Sequence, residues 1–282
     1  MKNIIEVKNL NKTYPNFKID NVSLNIPKGS IIGLVGQNGA GKTTLIKLLL
    51  EIICRDSGQI RIFGNDKISE IKKDIGVVLD ESFFPEILKI NDIKTIMKNI
   101  YSNWDNDLFE KYLQKFKLTN NQPLKELSKG MRKKLEIITA LSHHPKLLIL
   151  DEPTSGLDPI VRNEILDIFR EFIENGQNSI LFSSHITSDL ENIADYIVFI
   201  NEGKIVFDKT TDEIISDYGI IKCSDVDYTK IDKKDILSMI KDKYSYQVLV
   251  SNRKKYQDKK FNLVVDKVKI EDIMLIIVKG EK

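Results

Sequence analysis

Cysteine is scarce: the 282 residues hold two, Cys54 and Cys223. Two are too few for a disulfide framework, and they match no zinc-site spacing, so free thiols in a reducing compartment are expected. Charge of one sign is also lacking. Lys plus Arg total 43 and Asp plus Glu total 41, a net charge of +2. That balance gives no general case for a nucleic-acid surface and leaves no acidic tail. Long apolar runs are missing. Stretches such as Leu147-Leu148-Ile149-Leu150 fall far short of the ~20 residues of a membrane span. The opening Met1–Glu6 carries no leader pattern. The chain is therefore expected to be soluble on its own, with any membrane role reached through a partner. Tryptophan occurs once, Trp104 beside Asp105, where packing at a helix start is expected. What remains is a globular composition, 41% hydrophobic and 30% charged. The length suits one large domain or a core with a smaller appendage.

Periodicity divides the chain into textures. Ile4–Val7, Val22–Ile26 and Ile60–Phe63 are β-rich runs bounded by turn residues. Gly29–Val35 reads as a continuous apolar run ahead of a glycine-rich segment, as a buried parallel strand does. From Thr43 to Ile53, Leu45, Leu48, Leu49 and Ile52 recur at helical spacing. Ile87–Tyr101, Asp105–Phe116 and Gly130–Leu141 form an all-helical stretch. Strand character returns at Leu147–Leu150, Ser179–Phe182 and Tyr196–Ile200, with a helix expected over Pro159–Glu174. Alternating strands and helices imply a mainly parallel α/β sheet, with the helical stretch inserted into it. After about Thr211 the chain becomes Lys- and Asp-rich with short apolar runs, Tyr246–Val250, Phe261–Val265 and Ile270–Val278, and is expected to form a small α+β appendage.

Two motifs carry chemistry. Gly36-Gln37-Asn38-Gly39-Ala40-Gly41-Lys42-Thr43 fits G-x-x-x-x-G-K-[ST], after an expected strand and at the start of an expected helix. Glycines let successive N–H groups face a phosphate, and a helix N-terminus adds positive potential. Lys42 can reach the β- and γ-phosphates, and the Thr43 hydroxyl suits Mg²⁺. The run Leu147–Leu150 ends in Asp151-Glu152. At a strand's carboxyl end Asp151 is placed to hold Mg²⁺ and Glu152 to polarise an attacking water.

Leu127-Ser128-Lys129-Gly130-Met131, Ser155-Gly156-Leu157-Asp158 and Ser183-Ser184-His185 complete an ordered set with these two motifs. Over about residues 4–207 the set resembles the nucleotide-binding subunit of an ABC transporter. The resemblance implies an α/β fold: a P-loop NTPase core with an antiparallel β subdomain, an all-helical insertion at about 83–142 and a small C-terminal α+β appendage. It implies a nucleotide-binding domain over 1–211 and a second domain over 212–282. By the same resemblance Tyr14 stacks on adenine, while Gly36, Asn38, Gly39, Gly41, Lys42, Thr43 and Thr44 cradle the phosphates. Ser128 and Gly130 serve the nucleotide of an opposite subunit, Asp158 links the paired sites, and His185 contacts the γ-phosphate. Glu152, His185 and Lys42 are the implied catalytic residues, and Thr43, Asp80 and Asp151 the metal residues. Lys129 and Met131 stand where the family usually has glycine and glutamine, and Asp80 stands where a strand usually ends in glutamine.

The implied function is an ATPase with ATP and Mg²⁺, pairing with a second such subunit, identical or not, and driving a separate transmembrane permease. The site would be cytoplasmic, at the inner face of the membrane, with no nucleic acid involved. The signature form, Asp80 and the appendage look most like the drug- or antibiotic-export branch. The alternative is a soluble or regulatory ATPase of the same type. His143 and His144 match no motif and are expected at the surface.

Overall fold

Alternating apolar residues in the first sixty positions build an antiparallel sheet. The computed structural model describes residues 3–81, 83–243 and 245–281; Met1 and Lys2 of the opening segment lie outside them. Strand β1 (Asn3–Tyr14) pairs with β2 (Phe17–Pro27), Val7 facing Leu24. Strand β3 (Ile31–Val35) is buried at every residue, and helix α1 (Lys42–Leu49) follows its glycine loop. The helix stops at Leu49, short of the expected Ile53. Glu51 takes a left-handed φ of 52°, and Ile52 is left 52% exposed. Strand β4 (Ser57–Ile62) adds to the other edge of β1, giving the order β2-β1-β4.

Strand β5 (Ile75–Val78) leads into the helical insertion: α2 (Ile90–Ile100), α3 (Asn106–Lys115) and α4 (Lys129–Leu141). Ile90, Ile93, Phe109, Leu113, Leu135 and Ile138 bury one face of each helix in a common core. Trp104 packs at the edge of this core, and its indole N–H donates to Asn106 Oδ1 at 3.1 Å. Asp105 caps α3 by accepting the Leu108 N–H at 2.9 Å.

The chain then alternates β6 (Leu147–Leu150), α5 (Pro159–Ile173), β7 (Ser179–Ser184), α6 (Thr187–Ile193), β8 (Tyr196–Asn201) and β9 (Lys204–Thr210). These strands join β3 and β5 in a six-stranded sheet of order β5-β6-β7-β3-β8-β9. The pairs β5–β6, β6–β7 and β3–β7 are parallel. Strand β9 was not expected from the sequence, although it holds the short apolar run Ile205-Val206-Phe207; it is half-exposed along its length.

The remaining elements are α7 (Thr211–Asp217), β10 (Gly219–Cys223), α8 (Asp225–Tyr228), β11 (Ile236–Lys241), β12 (Tyr246–Val250), α9 (Arg253–Tyr256), β13 (Val265–Lys267) and α10 (Ile270–Lys279). The strands form an antiparallel sheet ordered β11-β12-β10-β13. Ile221, Val248, Val250 and Tyr256 form its core. The chain divides into two compact units. One runs to Ile186 and includes Val198–Val206; the other comprises Thr187–Ile197 and everything from Phe207. Among the described residues no helix is long and apolar enough to cross a membrane.

Candidate functional site

The glycine loop between β3 and α1 has the geometry its sequence requires. Gly39 and Gly41 have φ of 82° and 112°, the left-handed region that favours glycine. A Cβ on Gly41 would lie 2.8 Å from the Phe17 ring, and one on Gly36 would collide with the Ile200 carbonyl oxygen. Lys42 is 6% exposed. Its ammonium donates to the carbonyls of Gly36 at 2.8 Å and Gln37 at 3.2 Å, and Glu152 Oε1 lies 3.4 Å away.

The carboxyl ends of β6 and β7 meet this loop. Leu150 pairs with Phe182, so the next residues, Asp151 and Ser183, fall side by side. The Ser183 hydroxyl donates to Asp151 Oδ1 at 2.6 Å and accepts the Glu152 N–H at 2.9 Å. Glu152 has a φ of 49°, a strained conformation for a residue with a side chain. Its carboxylate is held by Lys42 on one side and by His185 Nδ1, 2.7 Å from Oε2, on the other. The backbone strain is thus retained in a residue whose polar atoms are all anchored.

A cavity of about 670 Å³ opens over the loop. Asn38, Gly39, Gly41, Lys42, Thr43, Thr44, Asp80, Glu152 and His185 line it, all singled out from the sequence. An adjoining cavity of about 210 Å³ brings Thr43, Asp80 and Asp151 together. Asp151 is fully buried, and its Oδ2 has no hydrogen-bond partner. A buried carboxylate oxygen without a partner is costly unless a cation compensates, so Thr43 and Asp151 fit a divalent ion. Among the described residues no group of three His, Cys, Asp or Glu could hold a metal alone.

Other sequence-selected residues lie elsewhere. Tyr14 is 38% exposed and does not line the cavity; Asn16 and Phe17 do. Lys12 sits over the Tyr14 ring at 5.7 Å. Ser128 caps α4, accepting the Met131 N–H at 3.2 Å, and Gly130 packs near Val161. Asp158 caps α5, accepting the N–H groups of Ile160 and Val161 at 3.0 Å. None of these three lines the chain's own cavity. Phe17 and Ser183 were missed as site residues. Phe17 carries no local motif. Ser183 could have been found by extending the β6–β7 register by one residue.

The two motif-free histidines differ. His144 is exposed and 2.9 Å from Asp105 Oδ2, as expected. His143 corrects the expectation of a surface residue. It is 1% exposed, stacks on Tyr101 with ring centroids 4.0 Å apart, and places Nε2 3.2 Å from the Ile75 carbonyl oxygen. The segment Ser142–Pro145 must turn from α4 into β6, and that turn carries one histidine into the core.

The ABC transporter family profile matches residues 19–155. The lantibiotic transport ATP-binding protein SrtF of Streptococcus pyogenes is 38% identical over 212 residues, 74% of this chain and 92% of that protein. The bacitracin transport ATP-binding protein BcrA of Bacillus licheniformis is 36% identical, over 73% of this chain and 69% of its own length. A solved structure of an ATP-binding subunit of an ABC transporter superposes with a TM-score of 0.68 at 27% identity, covering 75% of this chain and 91% of its own. Shared identity over nearly the whole of a relative, on the same nucleotide-loop architecture, makes this chain a member of the ABC transporter family, an ATP-binding, ATP-hydrolysing subunit.

Proposed function

We propose that the cavity over the glycine loop hydrolyses MgATP, and that the continuous contact Lys42–Glu152–His185 is its reactive centre. That contact carries the reading: an ammonium, a carboxylate and an imidazole share one cavity with the phosphate loop. With ATP bound, Lys42 exchanges its loop carbonyls for β- and γ-phosphate oxygens. Thr43 and Asp151 would hold the ion, with Asp80 beside them in the adjoining cavity to orient water near it. Mg²⁺ supplies charge neutralisation across the phosphates. Glu152, freed from Lys42, accepts a hydrogen bond from the attacking water and orients it. His185 holds the Glu152 carboxylate and faces the γ-phosphate. Phe17, against Gly41, offers an apolar wall to the nucleoside, with Tyr14 beyond it.

A second subunit completes each site. Ser128 and Gly130 lie outside the chain's own cavity, at a helix N-terminus suited to phosphate, so they serve the nucleotide of an opposite copy or relative. The permease docks on the helical insertion, where Phe83, Ile87 and Ile100 are 72%, 85% and 64% exposed. With the permease docked there, the subunit works at the cytoplasmic face, peripheral to the membrane. Named relatives serve lantibiotic and bacitracin transport, which supports an exporter of antibiotic-like cargo.

Glu152→Gln should preserve ATP binding and slow steady-state hydrolysis by about 10²-fold or more, the scale of a lost general base. Lys42→Ala should instead weaken nucleotide binding itself. Near-normal turnover in Glu152→Gln would sink the assignment of Glu152.

A further inference from the structure

The carboxyl end of β5 is held from outside its sheet. Lys133, in the second turn of α4, is 6% exposed, yet its ammonium donates to the Leu79 carbonyl at 3.1 Å. Its other charged neighbour is Glu136, 9% exposed, with Oε2 3.0 Å away. A buried ion pair is weak support for stability, since apolar replacements often serve as well. The contact with Leu79 is what an apolar pair could not supply. The β5–β6 ladder ends one residue earlier, where the Asp151 N–H takes the Val78 carbonyl at 2.8 Å. The Leu79 oxygen is therefore the first acceptor beyond the sheet, and it belongs to the peptide plane that enters Asp80. Because a peptide is planar, fixing that oxygen fixes the Asp80 nitrogen and the direction in which Asp80 leaves the strand. Asp80 lines both cavities at the nucleotide loop. The far end of the same loop is also tied to α4. Arg132 donates to Glu86 Oε1 at 2.9 Å and to the Leu124 carbonyl at 3.0 Å.

We propose that Lys133 is a positioning residue for ATP hydrolysis: it fixes the Leu79–Asp80 peptide so that Asp80 enters the cavity in one orientation, and it ties the Ser128-bearing helix to that loop. The assignment rests on the role proposed above for Asp80. It is tested on the full chain by ATPase rates against ATP and Mg²⁺, with thermal unfolding beside them. Glu136→Gln keeps the ammonium on Leu79 but removes its buried counter-charge, so it should unfold at a lower temperature while the folded protein turns over like the parent. Lys133→Met with Glu136→Gln removes both charges, so no carboxylate is stranded in the core. Its kcat should fall about tenfold with KM for ATP unchanged within about twofold, the pattern of an interaction made in the transition state. Its Mg²⁺ midpoint should move as that of Asp80→Asn does. In an Asp80→Asn background the same pair should add less than about a twofold loss, because residues acting through one another are not additive. Lys133→Met with Glu136→Met, an apolar pair, is the second variant should the first fold poorly, with the same outcomes expected. Unchanged kcat in the folded pair, or a loss repeated in full in the Asp80→Asn background, overturns the assignment. Parent-like kcat and Mg²⁺ midpoint in Asp80→Asn overturn the role of Asp80, and this assignment with it. A slowed Asp80→Asn beside an unaffected Lys133 pair overturns the assignment alone.

Discussion

Gly41 does two things at once. Its φ of 112° excludes most side chains, and any Cβ would also meet Phe17 at 2.8 Å and Ile19 at 2.9 Å. Gly39 shares the left-handed backbone but has nothing within 4 Å of a Cβ. Gly41→Ala should therefore lose both stability, by about 1–3 kcal/mol of strain, and ATP affinity, while Gly39→Ala bears the backbone term alone. Thermal unfolding and a nucleotide titration of the two variants separate them. His143 gives a pH test. Burial is the main cause that pushes its imidazole below the ordinary 6.5. Below pH 6.5 the unfolded chain takes up a proton that the folded ring refuses. The stabilising contribution is thus whole above that pH and is lost as pH falls toward the lowered value. His143→Phe keeps a ring against Tyr101 but cannot titrate. Denaturation midpoints at pH 7.5 and 5.5 should fall further for the parent than for this variant; equal falls would remove His143 as a titrating group.

At the scale of the element, helix starts combine capping with position. Asp158 caps α5 through two N–H groups at 3.0 Å, with Pro159 in the first turn. Asp158→Ala should lower stability by about 1 kcal/mol, the usual worth of a cap. Asp158→Ser retains a capping oxygen and should recover most of that loss. If Asp158→Ser is as stable as the parent but still slow in ATP hydrolysis, the carboxylate acts beyond capping. Parent-like hydrolysis in Asp158→Ser restricts Asp158 to the cap. The insertion behaves differently: its helices are held by the common core of Phe109, Leu113, Leu135 and Ile138, so single caps there are secondary to packing.

For the whole molecule the decisive question is assembly. A phosphate loop and a signature segment that do not share a cavity within one chain must come from two chains if both touch one ATP. Without nucleotide the protein should sediment mainly as a monomer, and Glu152→Gln with MgATP should shift it to a dimer. A dimer that forms equally without ATP would place the contact elsewhere, and the segment from Phe207 onward, with its own antiparallel sheet, would be the first surface to examine.

The sequence determined the parts whose chemistry is local. The phosphate loop needs glycines at fixed spacing, Asp151-Glu152 closes an apolar run, and a continuous apolar run such as Ile31–Val35 belongs in the interior. Those features were readable because their cause lies within a few residues. Tertiary structure decided what depends on distant partners. Phe17 reaches the cavity because β2 lays it against Gly41. Ser183 bridges Asp151 and Glu152 because the β6–β7 register sets it there. His143 is buried by a turn that no motif marks, and Lys133 meets the Leu79 carbonyl because α4 passes over the residue just beyond β5. Residues 187–197 group with the later unit for the same reason. In each case the partner lies tens of residues away, where spacing along the chain carries no information about proximity.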